Sequence, residues 1–570
     1  MWRPIFCLGF PTRKKAISQA PFQVCLGNPA FDFGGFEPVI SGPIRNNNSA
    51  AGERHAPSTQ AVVATGIRRA DVRLGDEMTD KLLNFIDGEW REPSTGKWAP
   101  NRNPADARVV LNEAPMSDAA DLQLAMDGAL RAQKDWARTP APVRGKILFN
   151  AVRLFEKRTE ELARALTAEE GKILEESRGE VQKMINLLEF VAGEARRLNG
   201  ETIPSEIPNT FAYTVRVPIG VVASITPWNF PVAIPVWKAA PAMVAGNAVI
   251  HKPANQTPWT AKIIAEVFAE AGIPKGIYNV IYGRGSLLGS CLVNHPHIDG
   301  ITFTGSTEIG LGINESAARS KKKVQCEMGG KNPVIVMEDA DVALAVQAAA
   351  KGGFGATGQR CTATSRAIVH RDVYNEFLEG IVEMARTMRP GDGFDPASAL
   401  GPSVDEGQMN TVLRYIDIGK SEGATLAAGG MRLMDAEREH GYFVAPTVFA
   451  NVDRKMRVAR EEIFGPVMSV LPISSMDEAI DVANDTPFGL SSSIYTRDVN
   501  RVFRYVDRVE TGMLHVNNPT IGGEAQMPFG GMKQTGIGER EQGKTAVDFS
   551  TELKTIYIDY AGSVRGGNLF

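Results

Sequence analysis

Residues Gly220 to Lys252 read GVVASITPWNFPVAIPVWKAAPAMVAGNAVIHK. Gly220 to Ile225 is an apolar run of strand length, and Ala248 to His251 is a second. Between them lies the most apolar stretch of the chain, Pro231 to Ile250, but Lys238, several prolines and Gly246 interrupt it short of a membrane span. It reads as a buried helix followed by a strand. The alternation continues with a helix over Thr260 to Ala271, strands at Tyr278 to Tyr282 and Ile298 to Thr304, and a helix over Glu308 to Ala318. Short apolar strands alternating with helices predict a parallel sheet covered by helices, so the fold class is α/β. A second alternation runs from Pro333 to Val336 through a long helix and on to Ala367 to His370, which predicts a second domain of the same kind.

Upstream, the chain changes character near Met78. Residues 1–77 are rich in Gly, Pro, Asn and Ser without helical or strand period, and read as a disordered extension. Residues 1–31 contain no acid but carry Arg3, Arg13, Lys14 and Lys15, so this segment is either a transit peptide or an over-extended start with Met78 opening the protein proper. Beyond it, Leu82 to Trp90 predicts a hairpin turning at Asp87-Gly88, and Asn103 to Asp106 predicts another turn. Ser117 and Asp118 can cap a helix running towards Trp136, and Val143 to Gly200 has helical apolar spacing with abundant Glu, Lys and Arg read as solvated faces.

At 570 residues the chain is long enough for about two to four domains. A formal net charge of -4 gives no pull towards nucleic acid or an anionic membrane, and neither is expected as a partner. The five cysteines, Cys7, Cys25, Cys291, Cys326 and Cys361, form neither a CxxC pair nor a metal-ligand pattern, so no metal is expected and a reducing cytoplasm is.

Several residue types invite chemistry. Cys361 follows Gly355, Gly358, Gln359 and Arg360, a setting that suits either a nucleophilic thiol or an inert small core residue. Asn229 lies just past the strand Val221 to Ile225, where it is an oxyanion donor or a turn residue. Lys252 ends the next strand and either binds a ribose or phosphate or is solvated. Phe303 to Gly310 runs from strand through glycine into helix, whose first N–H groups can meet a phosphate, though it lacks the G-x-G-x-x-G order. Glu327, before Gly329-Gly330, is a general base or part of a surface turn. Glu462 stands at a helix-to-loop junction.

Taken in order, PWNFP at 227–231, FTGST at 303–307, EMGGKNP at 327–333, GQRC at 358–361, EIFGP at 462–466 and PFGG at 528–531 resemble the aldehyde dehydrogenase superfamily over residues 82–560. The resemblance implies two Rossmann-like parallel-sheet domains and a small β oligomerisation arm. The cofactor-binding domain would span 78–200 and 218–329, the catalytic domain 330–535, and the arm 201–217 with 549–560. It implies NAD(P)-dependent oxidation of an aldehyde to an acid, with Cys361 as nucleophile, Glu327 as general base and Asn229 with the Cys361 N–H as oxyanion hole. Lys238 and Glu541 match proton-relay positions. Trp228, Lys252, Asn255, Gly285, Gly305, Ser306, Glu462 and Phe464 would surround the cofactor, with Lys252 on the adenosine ribose, Ser306 on the pyrophosphate, and Glu462 and Phe464 on the nicotinamide ribose and ring. Glu327 is generally absent from relatives that acylate coenzyme A, so its presence implies hydrolysis.

Two positions depart from common patterns. Asn255 stands where NAD-preferring members often carry a glutamate, leaving NAD or NADP open. Residues 231–238 and 361–366 are most similar to dehydrogenases of 2-oxoglutarate semialdehyde, yet Gly355 occupies the place of an arginine that pairs with the substrate carboxylate in such enzymes. Arg360 either substitutes for it or points into the structure. The substrate is therefore an oxo-acid semialdehyde or, alternatively, an uncharged aliphatic or aromatic aldehyde; a non-catalytic structural member is the alternative of another class. A homodimer or homotetramer is implied by the arm, whose alternating apolar strand leaves an edge to be covered.

Overall fold

The computed structural model describes residues 80–562, so the predicted extension over residues 1–77, with Cys7 and Cys25, lies outside the described residues. The strand Val221–Ile225 is followed by the helix Ala233–Ala245, buried along its whole length, and by the strand Ala248–Lys252, in which all five residues are buried. Burial on both faces is what turns parallel strands into unbroken apolar runs. These strands sit in an eight-stranded sheet whose parallel centre orders Tyr278–Val280, Ala248–Lys252, Val221–Ile225, Gly300–Thr304 and Lys323–Glu327. The chain builds outward one way from Val221–Ile225, then returns to build the other way from Gly300–Thr304. That reversal opens a crevice at the carboxyl ends of the two strands, the usual ligand position in such sheets.

Hairpin Asn84–Ile86 and Glu89–Arg91 borders this sheet, with Asp87-Gly88 as its two-residue turn. At the other border, Gly536–Ile537 pairs antiparallel with Lys323–Glu327, placing Gly536 opposite Glu327. A seven-stranded sheet follows, ordered Thr425–Ala428, Thr447–Ala450, Val467–Ile473, Thr364–His370, Asn332–Val336, Ser491–Tyr495 and Met513–Val516, parallel except at its first strand. The α/β class is therefore observed in two parallel-stranded sheets. A third, antiparallel sheet joins Thr202–Ile203, Thr210–Pro218 and Thr551–Asp559, the last pair in register over nine residues. Phe549, read as the start of that tail strand, instead ends the helix Gly543–Phe549 and is buried. No helix among the described residues is long and apolar enough to cross a membrane.

The helices Ala119–Arg138, Ala141–Lys157, Thr159–Glu170 and Leu174–Glu194 pack on the first sheet, and Asp118 caps the first of them in a capping box with Asp121. Their charges are not all solvated, as their spacing had implied. Lys172 and Glu170 are fully buried and Glu180 nearly so. Lys172 Nζ donates to Glu180 Oε2 at 2.6 Å and to the Asn229 carbonyl at 2.7 Å. Burial alone would discharge Lys172, but Glu170 and Glu180 outweigh it and hold its pKa above the ordinary lysine value. Glu180 Oε1 accepts from the N–H groups of Val232 and Ala233, closing the helix start that follows Asn229.

Removing one partner of such a cluster strands the others. Lys172→Ala is expected to cost about 3–5 kcal/mol and lower the thermal unfolding midpoint. Calorimetry of the variant checks this, and an unchanged midpoint would show the ammonium to be dispensable.

Candidate active site

Cys361 reaches its position through unusual backbone. The helix Val342–Phe354 stops, and Ala356, Thr357 and Gly358 then run left-handed, with φ of 47°, 58° and 67°. Two of these are not glycine, and each costs about 1–2 kcal/mol in this conformation. The neighbours hold them there: the Ala356 N–H donates to Glu176 Oε1 at 2.8 Å, and Thr357 Oγ1 donates to the Gly401 carbonyl at 2.9 Å. A Cβ on Gly358 would sit 2.1 Å from the Gly465 carbonyl oxygen, so only glycine passes there. The Cys361 carbonyl accepts from Asn332 Nδ2 at 2.7 Å, while its own N–H has no acceptor among the described residues. The thiol is half-buried.

Asn229 faces this loop from the other sheet. Its Nδ2 donates to the Gln359 carbonyl at 2.9 Å, two residues before Cys361. An amide nitrogen carries two hydrogens, so one remains for an oxygen held near the cysteine.

Glu327 is buried at the end of Lys323–Glu327, and its Oε2 has no partner among the described residues. Burial, reinforced by Glu541, pushes its carboxyl well above the usual range. Lys238 and Glu541 form a fully buried ion pair; Lys238 Nζ also donates to Thr302 Oγ1 at 2.9 Å, and Trp237 Nε1 donates to Glu541 Oε2 at 2.8 Å. Desolvation first, then Glu462 and Glu327, push the Cys361 thiol up to about 12 against the opposing Lys183 ammonium.

The residues read as cofactor contacts stand on several elements: Trp228 follows the strand Val221–Ile225, Lys252 ends Ala248–Lys252, and Gly305 and Ser306 follow Gly300–Thr304. Ser306 begins the helix Thr307–Arg319 without a side-chain cap, and the buried hydroxyls of Thr304 and Thr307 lack partners among the described residues. This open helix start, reached through Gly305, can receive an anion. Lys252 is buried, donates to the Pro253 carbonyl at 2.9 Å, and is lowered to about 8 by desolvation. Asn255, three residues on, is exposed, as is Gly285. Glu462 Oε1 accepts from the Gly330 N–H at 2.9 Å, and its other oxygen lies 2.0 Å from where a Cβ on Gly329 would stand. Burial lifts Glu462 to about 7. Phe464 and Trp228 meet edge to face, ring centroids 5.4 Å apart. The chemistry of this set fits a dinucleotide: an anion-receptive helix start, a buried lysine, a carboxylate and two rings in contact.

Arg360 does not stand in for the missing arginine. It points into the structure, pairing with Glu176 at 2.9 Å, and the same pair crowds position 355, where a Cβ would lie 3.2 Å from Glu176 Oε1.

The comparisons with known proteins agree on one family. The model of the aldehyde dehydrogenase family matches residues 90–556. The chain belongs to the aldehyde dehydrogenase family. It is 45% identical over 484 residues to an alpha-ketoglutarate semialdehyde dehydrogenase of Haloferax volcanii, covering 85% of this chain and 100% of that protein. An alpha-ketoglutaric semialdehyde dehydrogenase of Bacillus subtilis is 42% identical over 476 residues, covering 84% and 98%. A betaine aldehyde dehydrogenase from Staphylococcus aureus, solved in complex with NAD+, superposes with a TM-score of 0.83 at 35% identity, covering 85% of this chain and 95% of that one.

Sequence reasoning missed Lys172, Glu180, Glu176 and Lys183, all within a stretch read as solvated helix. The usable signal was absent from that stretch, since apolar spacing does not say what a polar face packs against. For this aldehyde dehydrogenase family member, the raised thiol makes one outcome testable without substrate. Alkylation of Cys361 by iodoacetamide should rise about tenfold per pH unit from pH ~7 to ~9, because the thiolate is the minor form throughout. Above the Glu462 pKa of about 7 its negative charge opposes the thiolate, so Glu462→Gln should speed alkylation at alkaline pH. A flat profile measured by mass spectrometry would contradict both.

Proposed function

We propose that the chain oxidises aldehydes to carboxylic acids, with NAD or NADP as oxidant, through a covalent adduct on Cys361. The observation that carries this reading is the hydrogen bond from Asn229, beyond a strand of the first sheet, to the carbonyl of Gln359, two residues before Cys361 on the way into the second. The Cys361 thiolate adds to the aldehyde carbon, and the developing oxyanion is held by the second Asn229 Nδ2 hydrogen and the free Cys361 N–H. Nicotinamide, when bound, supplies the two-electron oxidation that turns this adduct into a thioester. Glu327, which burial holds above the usual carboxyl range and so makes a stronger base than an ordinary carboxylate, then takes a proton from the water that releases the acid. Lys238 and Glu541 form the buried pair behind it, placed to relay protons. A non-acylating outcome, with water rather than coenzyme A as acceptor, follows from the presence of Glu327.

The cofactor is assigned to Trp228, Lys252, Asn255, Gly285, Gly305, Ser306, Glu462 and Phe464. Residues 78–200 with 218–329 form its domain, 330–535 the catalytic domain, and 201–217 with 549–560 an oligomerisation arm. The strand Thr551–Asp559 lies at the border of its sheet with Leu553 and Tyr557 exposed, which supports a homodimer or homotetramer. A cytoplasmic setting is in keeping with few cysteines, those among the described residues being unpaired. The two relatives named for alpha-ketoglutarate semialdehyde support an oxo-acid semialdehyde as substrate.

With 2,5-dioxopentanoate and either cofactor, the protein is expected to form NADH or NADPH, and Cys361→Ala to form none while still binding cofactor. Asn229→Ala should lower kcat by about 10²–10³, and Glu327→Gln should slow steady turnover more than the first burst. Turnover by Cys361→Ala would remove it as nucleophile. Asn255→Glu is expected to lower the NADP/NAD ratio of kcat/KM by about tenfold through repulsion of a 2′-phosphate, and an unchanged ratio would place that side chain away from the ribose.

A further inference from the structure

Lys183, on the helix Leu174–Glu194, is near enough to Cys361 for the two charges to interact, and it makes no hydrogen bond or ion pair among the described residues. The carboxylates that could neutralise it are engaged elsewhere. Glu180 is held by Lys172 and by the Val232 and Ala233 amides, and Glu176 by Arg360 and the Ala356 amide. Lys183 has aromatic rings instead: its Nζ lies 5.6 Å from the Trp237 ring centroid and 5.8 Å from that of Phe529. Those rings are fixed, since the Trp237 indole donates to Glu541 and the Phe529 backbone pairs with that of Glu541. Rings at this distance stabilise an ammonium without consuming its donors. Desolvation lowers the lysine pKa most, Cys361 and Glu180 draw it part of the way back, and Arg360 lowers it again, so the charge is kept there at a cost. A half-buried cation of this kind gains most when an anion arrives.

We propose that Lys183 binds the carboxylate at the far end of the substrate, so that the site selects aldehydes carrying an anionic group opposite the carbonyl. This rests on the dehydrogenase reading above and names the residue that replaces the arginine missing at Gly355. Its position beside the thiol also allows a different role, activation of the Cys361 thiolate, and the experiment separates the two.

The test compares kcat/KM for 5-oxopentanoate and pentanal, which share a chain length, in the parent and in Lys183→Met, Lys183→Gln and Lys183→Arg. The parent should prefer 5-oxopentanoate. Lys183→Met and Lys183→Gln should each lose about tenfold or more of that preference, chiefly through KM, while Lys183→Arg retains most of it. In parallel, the ratio of iodoacetate to iodoacetamide alkylation at Cys361 should fall in the two neutral variants, a readout of the local cation that needs no turnover. Equal losses for both aldehydes, with both alkylation rates falling together, would assign Lys183 to thiol activation and overturn the proposal. A parent that oxidises both aldehydes but shows an unchanged preference in Lys183→Met and Lys183→Gln would overturn the proposal alone. A parent that oxidises neither would overturn the dehydrogenase reading, and the proposal with it.

Discussion

One hydrogen bond ties the site together, the 2.9 Å contact from Asn229 Nδ2 to the Gln359 carbonyl. Its donor follows a strand of the first sheet and its acceptor precedes Cys361 in the second, so it spans the seam between two separately built layers. A single neutral hydrogen bond is worth only about 1 kcal/mol net and could not set this geometry by itself. Each partner is therefore held again from behind. Lys172 fixes the Asn229 carbonyl, and Glu180 fixes both Lys172 and the helix that follows. On the other side, Gln359 Oε1 accepts from the Val404 N–H at 3.0 Å and Asn332 grips the Cys361 carbonyl. The strain of the left-handed passage at 356–358 is tolerated because these bonds leave it no better path.

Low polarity at the seam shapes the chemistry as much as distance does. Burial raises the Cys361 thiol to about 12 and lifts Glu327 and Glu462 in the same direction, because it penalises every negative charge. Positive charge is consequently scarce and valuable. Lys238 is spent on Glu541, Lys172 on Glu180 and Arg360 on Glu176. Lys331 has no hydrogen-bond partner among the described residues, and desolvation, then Arg366, lower it to about 7 against the pull of Glu462 and Glu461. At the thiol, Lys183 favours the charged form against Glu462, Glu327 and Glu541.

Much of this architecture was legible because it is written in runs. Strands buried on both faces, such as Ala248–Lys252, must be apolar throughout, and the Asp87-Gly88 turn and the Asp118 cap announce themselves by residue type. The active-site motifs were weak one at a time and decisive in sequence order. What could not be read was the direction of charged side chains. Glu170, Lys172 and Glu180 have the spacing of a solvated face and lie instead against the Asn229 loop and a neighbouring helix: Glu170 ends one helix, Lys172 sits in the turn after it, and Glu180 is on the buried side of Leu174–Glu194, whose outer side carries the exposed Glu175, Arg178, Gln182 and Asn186. Arg360 was equally ambiguous until Glu176, distant in sequence, was seen to claim it.

Lysine, rather than arginine, suits the place beside the thiol. A guanidinium is rarely left without a planar acceptor, and an arginine here would compete with Arg360 for Glu176, the carboxylate that also holds the Ala356 amide and so the approach to Cys361. An ammonium is a compact charge that two ring faces can accommodate while its hydrogens stay unclaimed. It therefore keeps a positive charge available to an arriving anion without drawing on the hydrogen bonds that fix the nucleophile's loop. The electrostatic and the structural demands of the site are met by different residues, and neither compromises the other.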